Sequence, residues 1–140
     1  MSKRYAPATE RNRDPILDVL QTYLPEQGTV LEVSAGTGQH AAFFAPRLAP
    51  RYWLPTDVDE ISLSSIEAWR ETSQAPNLLA PQCLDVLDTR WLVEDTELPE
   101  PVSAMVNINM VHIAPWPCCE GLFDGAQRIL PPQAVVLMYG

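Results

Sequence analysis

A segment near the start of the chain, residues 30–39, combines an acidic residue with closely spaced glycines. An apolar run ends around Glu32, a loop of small residues with Gly36 and Gly38 follows, and a helical pattern begins directly afterwards. Glycines at such a turn let the backbone approach a ligand, because no Cβ stands in the way. The start of the next helix offers free N–H groups and the positive end of the helix dipole. The segment therefore predicts a strand, a tight turn and a helix that bind a nucleotide-like cofactor.

Three later segments carry polar side chains where further strands end. Asp57 lies about twenty residues after the glycines, a position from which an acidic side chain accepts hydrogen bonds from ribose hydroxyls. Asp85 follows the third predicted strand, where a carboxylate can accept from an adenine amino group. Residues 107–112 end the fourth strand and include His112, the best candidate for a general base, and Asn109, a candidate positioning acceptor. In an open parallel sheet these segments meet in one crevice outside the carboxyl ends of the strands.

Each of these side chains also has a purely structural interpretation. Glu32 can be a carboxylate whose hydrogen bonds are satisfied at a strand end, and Asp85 can be a turn residue. Asp57 can cap a helix, although Asp59 competes for that position. His112 can be structural as well. The sequence alone leaves both interpretations open for every one of them.

The elements that must position these residues alternate between strand and helix. Asp14 followed by Pro15 predicts the cap and first position of a first helix. His40 falls in the first turn of a second helix, where packing and substrate contact are both open. Apolar patterns predict strands at 29–33, 52–54, within 78–84, at 102–108 and at 134–139, and further helices that begin at 39, 59 or 60, and 120. The alternation predicts an α/β fold with right-handed crossovers and a doubly wound, mostly parallel sheet.

Length and composition narrow the class of protein. The 140 residues predict a single domain over residues 1–140. A net charge of −9 disfavours nucleic acid as a partner, because binding to its phosphates needs Lys and Arg. We expect a cytoplasmic protein, since the sequence shows neither an apolar run of about 20 residues that would span a membrane nor a secretory signal. Three cysteines without a C-x-x-C pair predict neither a disulfide framework nor a metal site.

Taken together, these residues resemble the class I S-adenosylmethionine-dependent methyltransferases. In that family the first strand leads into the pattern E/D-x-G-x-G-x-G, and an acidic residue closes the second strand. Here the pattern reads Glu32-Val33-Ser34-Ala35-Gly36-Thr37-Gly38, and Asp57 closes the second strand. Ser34 stands in place of the first glycine, and serine is small enough for the turn to be kept. The resemblance implies the Rossmann-like fold of this family and S-adenosylmethionine as the cofactor.

A closer resemblance is to a small methyltransferase-like family of unknown substrate. It covers nearly the whole chain and rests on residues 10–17, 31–33 with 36–42, 57–59 and 108–112. It implies a methyltransferase that binds S-adenosylmethionine, but it names no methyl acceptor. The predicted cofactor contacts are Glu32, Ser34, Gly36, Gly38, Asp57, Asp85 and Asn109, and the predicted catalytic residues are His112 and Asn109.

The resemblance also implies elements beyond those that the sequence shows. The class I methyltransferase sheet has seven strands in the order 3-2-1-4-5-7-6, whereas the pattern here ends after the fifth strand. We therefore expect a C-terminally incomplete fold that lacks the last helix and the β-hairpin. Residues 135–138 would then be an uncovered apolar edge, which pairs readily with another strand. We expect a homodimer through this edge.

Two functions remain open at this point. The first is a methyltransferase for an unknown small-molecule or protein acceptor, and the second is a catalytically inactive S-adenosylmethionine-binding module or partner subunit. The D/N-P-P-Y/F motif of adenine and cytosine amino methyltransferases is absent, because Met110 and Val111 follow Asn109. The turn also lacks the G-x-G-x-x-G spacing of nicotinamide dehydrogenases.

Overall fold

The computed structural model describes residues 3–108 and 115–139, which form a β-sheet with helices on both faces. The strands are β1 (Thr29–Val33), β2 (Tyr52–Asp57), β3 (Gln82–Cys83), β4 (Val102–Ile108) and β5 (Val135–Tyr139). The helices are α1 (Pro7–Tyr23), α2 (Gln39–Arg47), α3 (Glu60–Ser73) and α4 (Trp116–Ile129), with a short 3₁₀ helix at Leu92–Asp95. None of the helices in these two ranges is long and apolar enough to cross a membrane.

The sheet has the order β3-β2-β1-β4-β5, and all neighbouring strands are parallel. The chain moves outward from β1 to β3 and then returns to β4 on the other side of β1. β2 and β5, the strands that follow β1 and β4 along the chain, therefore lie on opposite sides of this central pair, and a change of direction of this kind places a ligand crevice at the carboxyl edge. This order confirms the predicted α/β, Rossmann-like, doubly wound fold.

β1 lies at the centre of the sheet and is buried along its whole length. Val30 contributes to the core beneath α1 and α2, together with Trp53 of β2. Leu31 contributes to the core on the opposite face, together with Leu122 of α4. A strand that is buried on both faces is expected to be apolar throughout. Thr29 and Glu32 are the two polar residues of β1, and the carboxylate of Glu32 accepts a hydrogen bond from the indole of Trp53.

α1 begins at Pro7, so the predicted start at Asp14 is wrong. Pro7 lies in the first turn of the helix. N–H groups of that turn have no acceptor within the helix, so the missing N–H of proline costs no hydrogen bond there. Pro15 lies inside the helix, and it removes one hydrogen bond of the helical ladder. Thr9 and Ile16 are both buried, two turns apart on one face of the helix. Packing of that face maintains the helix across Pro15.

β2 continues through Pro55 to Asp57, beyond the predicted end at residue 54. The N–H and carbonyl of Trp53 bond toward the β3 side, so the nitrogen of Pro55, two residues later, points to the same side. β3 is shorter than the strand predicted within 78–84 and pairs only with Thr56 and Asp57. Pro55 therefore removes no bond of the ladder, and the strand carries Asp57 to the carboxyl edge.

β5 is an edge strand within the described residues, because it pairs with β4 alone. Its first three side chains are half-buried, whereas Met138 and Tyr139 are exposed. The predicted apolar edge is present in this part of the chain. Pairing of that edge with a second chain stays a prediction.

Candidate cofactor site

Residues 34–38, which we call the glycine loop, connect β1 to α2 at the carboxyl edge of the sheet. Three of them have a left-handed backbone, with φ of 59° at Ser34, 63° at Gly36 and 91° at Gly38. Glycine adopts this conformation freely, whereas other residues do so rarely. Ser34, at the position of the first glycine of the methyltransferase pattern, thus has the left-handed backbone that glycine favours. The turn is kept despite the replacement.

The two glycines of the loop are needed for different reasons. A Cβ added to Gly36 would meet no atom within 4 Å, so this residue faces open space. A Cβ added to Gly38 would lie 2.7 Å from the Cα of Ile66 in α3. Gly36 leaves room for a ligand, as the predicted cofactor contact requires. Packing of the loop against α3 already explains the glycine at position 38.

We expect Gly38→Ala to destabilise the fold by about 1–3 kcal/mol. The alanine would have to keep φ near 91°, and its Cβ would overlap the backbone of Ile66. Urea unfolding monitored by circular dichroism measures the change. An unfolding midpoint equal to that of the original protein would show that the loop does not pack against α3 as described.

Asp57 ties the end of β2 to the glycine loop. Its Oδ2 accepts a hydrogen bond from the N–H of Gly36 at 2.9 Å. Its Oδ1 accepts from the N–H groups of Val58 at 2.8 Å and Asp59 at 3.0 Å. A carboxylate has about four acceptor positions, so about one remains for a ligand hydroxyl. Asp59 caps α3 by accepting from the N–H of Ser62, so the capping role belongs to Asp59 and not to Asp57.

Glu32 precedes the glycine loop by two residues and is only 1% exposed. Its Oε1 accepts a hydrogen bond from Nε1 of Trp53 at 2.9 Å. Burial raises the pKa of Glu32 to about 7; the Trp53 bond opposes this rise, and the negative charge of Asp57 adds to it. The carboxyl group therefore changes its charge near neutral pH. A cationic ligand in the crevice would favour the ionised form.

Asp85 lies beside the end of β2, because the N–H of Leu84 donates to the main-chain oxygen of Asp57. Its Oδ1 accepts from the N–H of Leu87 at 2.9 Å, so one oxygen has the turn role that the sequence left open. Val58 and Leu87 are each 57% exposed, and they follow the two carboxylates closely along the chain. Both apolar side chains are therefore accessible from solvent.

His40 is a packing residue in the first turn of α2. It is buried, and its ring stacks on Phe44 with the two centroids 5.1 Å apart. Burial, assisted by the charge of Arg13, lowers the pKa of His40 to about 4. The neutral ring pairs through Nε2 with Oδ1 of Asn12 at 3.1 Å. These contacts favour packing over substrate contact.

The end of β4 contains a further candidate residue, Asn107, to which the sequence analysis gave no role although it lies in the segment 107–112. Asn107 is 1% exposed, and its Nδ2 donates to the carbonyl of Val33 at 2.9 Å, which joins the ends of β1 and β4. Its Oδ1 is buried without a partner among the described residues, so a donor from a ligand or water is expected there. The available signal was an amide near the end of a largely apolar strand. Asn109 and His112 lie outside the described residues.

A model of the family described as "Protein of unknown function (DUF938)" matches residues 3–140. The chain belongs to this family. The match extends over nearly the whole DUF938 chain, and it confirms the predicted resemblance to a small methyltransferase-like family of unknown substrate.

Solved structures show the same fold as the DUF938 chain. A SAM-dependent methyltransferase from Thiobacillus denitrificans, in complex with S-adenosyl-L-homocysteine, is 14% identical, with a TM-score of 0.64 over 97% of this chain and 50% of that one. A SAM-dependent methyltransferase from Aquifex aeolicus is 18% identical, with a TM-score of 0.65 over 94% of this chain and 66% of that one. The PH0226 protein from Pyrococcus horikoshii OT3 is 14% identical, with a TM-score of 0.72 over 95% of this chain and 58% of that one. The DUF938 chain spans about half the length of several structures that it matches, and its fold is that of the class I methyltransferases.

Proposed function

We propose that the DUF938 chain binds S-adenosylmethionine at the carboxyl edge of its sheet and transfers the methyl group to a small-molecule or protein acceptor. One observation carries this proposal. The N–H of Gly36 bonds to Asp57 across the crevice, while the other side of Gly36 faces open space. The loop is thereby held next to a carboxylate with room left for a ligand. The similar fold that is solved with S-adenosyl-L-homocysteine supports the choice of cofactor.

The residues at the crevice fit the parts of this cofactor. Asp57 would accept from a ribose hydroxyl, and Asp85 would accept from the adenine amino group with the oxygen that the turn does not use. Val58 and Leu87 would contact the base, because both are apolar and exposed. The negative charge of ionised Glu32 would interact favourably with a cationic cofactor. Gly38 offers no side chain to cap α2. The N–H of Gln39 bonds to the hydroxyl of Thr37 at 3.2 Å, so the N–H groups after it in the first turn would remain for a ligand.

The chemistry places few demands on the protein. When bound, the cofactor supplies an activated methyl group, and the chain orients the acceptor and excludes water. A base is needed only where the acceptor must lose a proton during the step. We propose His112 for this role, with Asn109 positioning the acceptor and contacting the cofactor. Asn107 Oδ1 is a further acceptor at the same strand end.

Replacing Asp57 by alanine is expected to weaken binding of S-adenosylhomocysteine by about 1.5–3 kcal/mol, or roughly tenfold to 150-fold. The variant loses an acceptor for the ribose and the bond that holds Gly36. Asp59→Ala is the matched control, because the side chain of Asp59 caps α3 at Ser62, while its main-chain N–H, which bonds to Asp57, is kept in the variant. Titration calorimetry compares the two variants. Equal affinity of Asp57→Ala and the original protein would remove Asp57 from the site.

Methyl transfer is tested with labelled S-adenosylmethionine and a fractionated cell extract. Label that enters the small-molecule or protein fraction, and that Asp57→Ala reduces, would support the proposed activity. Binding of the cofactor without transfer to any fraction would favour the inactive binding module instead. Label in nucleic acid would contradict the acceptor class, which the net charge of −9 disfavours.

A further inference from the structure

Residues 3–6, which we call the strap, cross α3 and connect to the glycine loop through hydrogen bonds. The N–H of Arg4 donates to Oγ of Ser65 at 2.8 Å. The hydroxyl of Ser65 donates in turn to the carbonyl of Thr37 at 2.6 Å. Thr37 belongs to the glycine loop, so one buried hydroxyl joins the strap to that loop. Ser65 is fully buried, and both its donor and its acceptor capacity are used.

α3 holds the strap by its backbone. Nε1 of Trp69 donates to the carbonyl of Arg4 at 2.7 Å. Ser65 and Trp69 are four residues apart and therefore lie on one face of the helix. Together they satisfy both main-chain groups of Arg4, whatever side chain that residue carries. The strap is therefore docked on α3 through its backbone and not through the charge of a side chain.

A second connection reaches the same loop residue. The N–H of Ala6 donates to Oε1 of Gln39, the first residue of α2. The same oxygen accepts from the hydroxyl of Thr37 at 3.2 Å. Gln39 is buried. The strap thus holds Thr37 at two points. Ser65 bonds to the carbonyl of Thr37, and Gln39 bonds to its hydroxyl.

The outer part of the strap is held weakly. Nζ of Lys3 lies 4.6 Å from the centroid of the Trp69 ring, and the ring of Tyr5 meets Trp69 edge-on at 5.1 Å. Tyr5 is 63% exposed. Exposed contacts of this kind contribute little to stability. Segments with few buried contacts open at low free-energy cost, so the strap can exchange between docked and detached states.

From these contacts we infer that the docked strap orders the glycine loop, and that ligand binding at the loop and docking of the strap favour each other. Ser65 is then a positioning residue, because it holds Thr37 without touching the ligand. Coupling of this kind is reciprocal, so each event strengthens the other by the same factor. The identity of the ligand rests on the proposed function, whereas the ordering of the loop does not.

Hydrogen exchange without ligand tests the ordering. A variant that lacks residues 1–6 and the variant Ser65→Ala should each show exchange of the Gly36 and Gly38 amides that is faster by about fivefold or more. Thr72→Ala is the matched control on α3, because among the described residues its hydroxyl bonds only to the carbonyl of Ala68 in the same helix. Unchanged exchange at the loop in both test variants would overturn the inference.

Trypsin cleavage after Lys3 and Arg4 tests the coupling, because a docked strap resists proteolysis. Saturating S-adenosylhomocysteine should slow this cleavage in the original protein. Loss of residues 1–6 should raise the Kd for S-adenosylhomocysteine by a similar factor. A strap with a merely structural role would be cleaved at the same rate with and without ligand, which would overturn the coupling. If the original protein binds no S-adenosylhomocysteine while its loop exchange still depends on the strap, the strap is supported and the proposed function is rejected.

Discussion

Replacing Gly36 by valine or asparagine is expected to abolish measurable binding of S-adenosylhomocysteine, a loss of about a hundredfold or more. The reason is steric, because a side chain at this position would enter the open space beside Asp57 that the ligand needs. Overlap of this kind costs about 3 kcal/mol or more when neither side can yield, which corresponds to about a hundredfold in affinity. Titration calorimetry measures the loss.

Asparagine separates loss of binding from loss of folding. Gly36 has φ of 63°, which a β-branched residue adopts only with strain, whereas asparagine tolerates it. Gly36→Asn should therefore keep the helix content and thermal stability of the original protein while binding is lost. Retained binding by the folded asparagine variant would contradict the proposed position of the cofactor.

Glu32→Gln is expected to change the dependence of stability on pH by roughly 2–3 kcal/mol between pH 5 and pH 8. Burial raises the pKa of Glu32 from its ordinary value of 4.5 to about 7. The folded protein therefore holds this proton more tightly than the unfolded chain does. The resulting stability is complete below pH 4.5 and is lost as the pH rises through 7. Glutamine has no proton to lose, so the variant should be destabilised less by rising pH.

Urea unfolding of both proteins at steps from pH 5 to pH 8 measures this difference. The lowered pKa of His40 has the opposite effect, because its contribution is present above pH 6.5 and is lost as the pH falls toward 4. It is common to both proteins and cancels in the comparison. Trp53→Phe removes the N–H that lowers the pKa of Glu32, so its transition should move to higher pH. Parallel stability curves for Glu32→Gln and the original protein would contradict the buried carboxyl group.

The crevice could be predicted from the sequence because its residues directly follow apolar strands. Glu32 is the last residue but one of β1, Asp57 ends β2, and Asp85 follows β3, so strand order alone brings them to one edge. The sequence could not decide whether Asp57 or Asp59 caps α3. That choice depends on β2 continuing past Pro55, which is possible because its nitrogen faces a gap in the pairing with β3.

The features that could not be predicted depend on contacts between distant residues. Pro15 indicates a helix start when only its neighbours along the chain are considered. The helix nevertheless continues across Pro15, because the buried face of α1 packs on the core. Arg4 lies 61 residues from Ser65 and 65 from Trp69, and no spacing along the chain reveals such a contact. Asn107 has a role only because β4 lies beside Val33 of β1.

The most direct test of the proposed site is a calorimetric titration of the folded protein with S-adenosylhomocysteine, in parallel with Gly36→Asn. We expect saturable binding with one ligand per chain in the original protein and none in the folded variant. Absence of binding to the original protein, or equal binding to both, would contradict a cofactor site at the glycine loop.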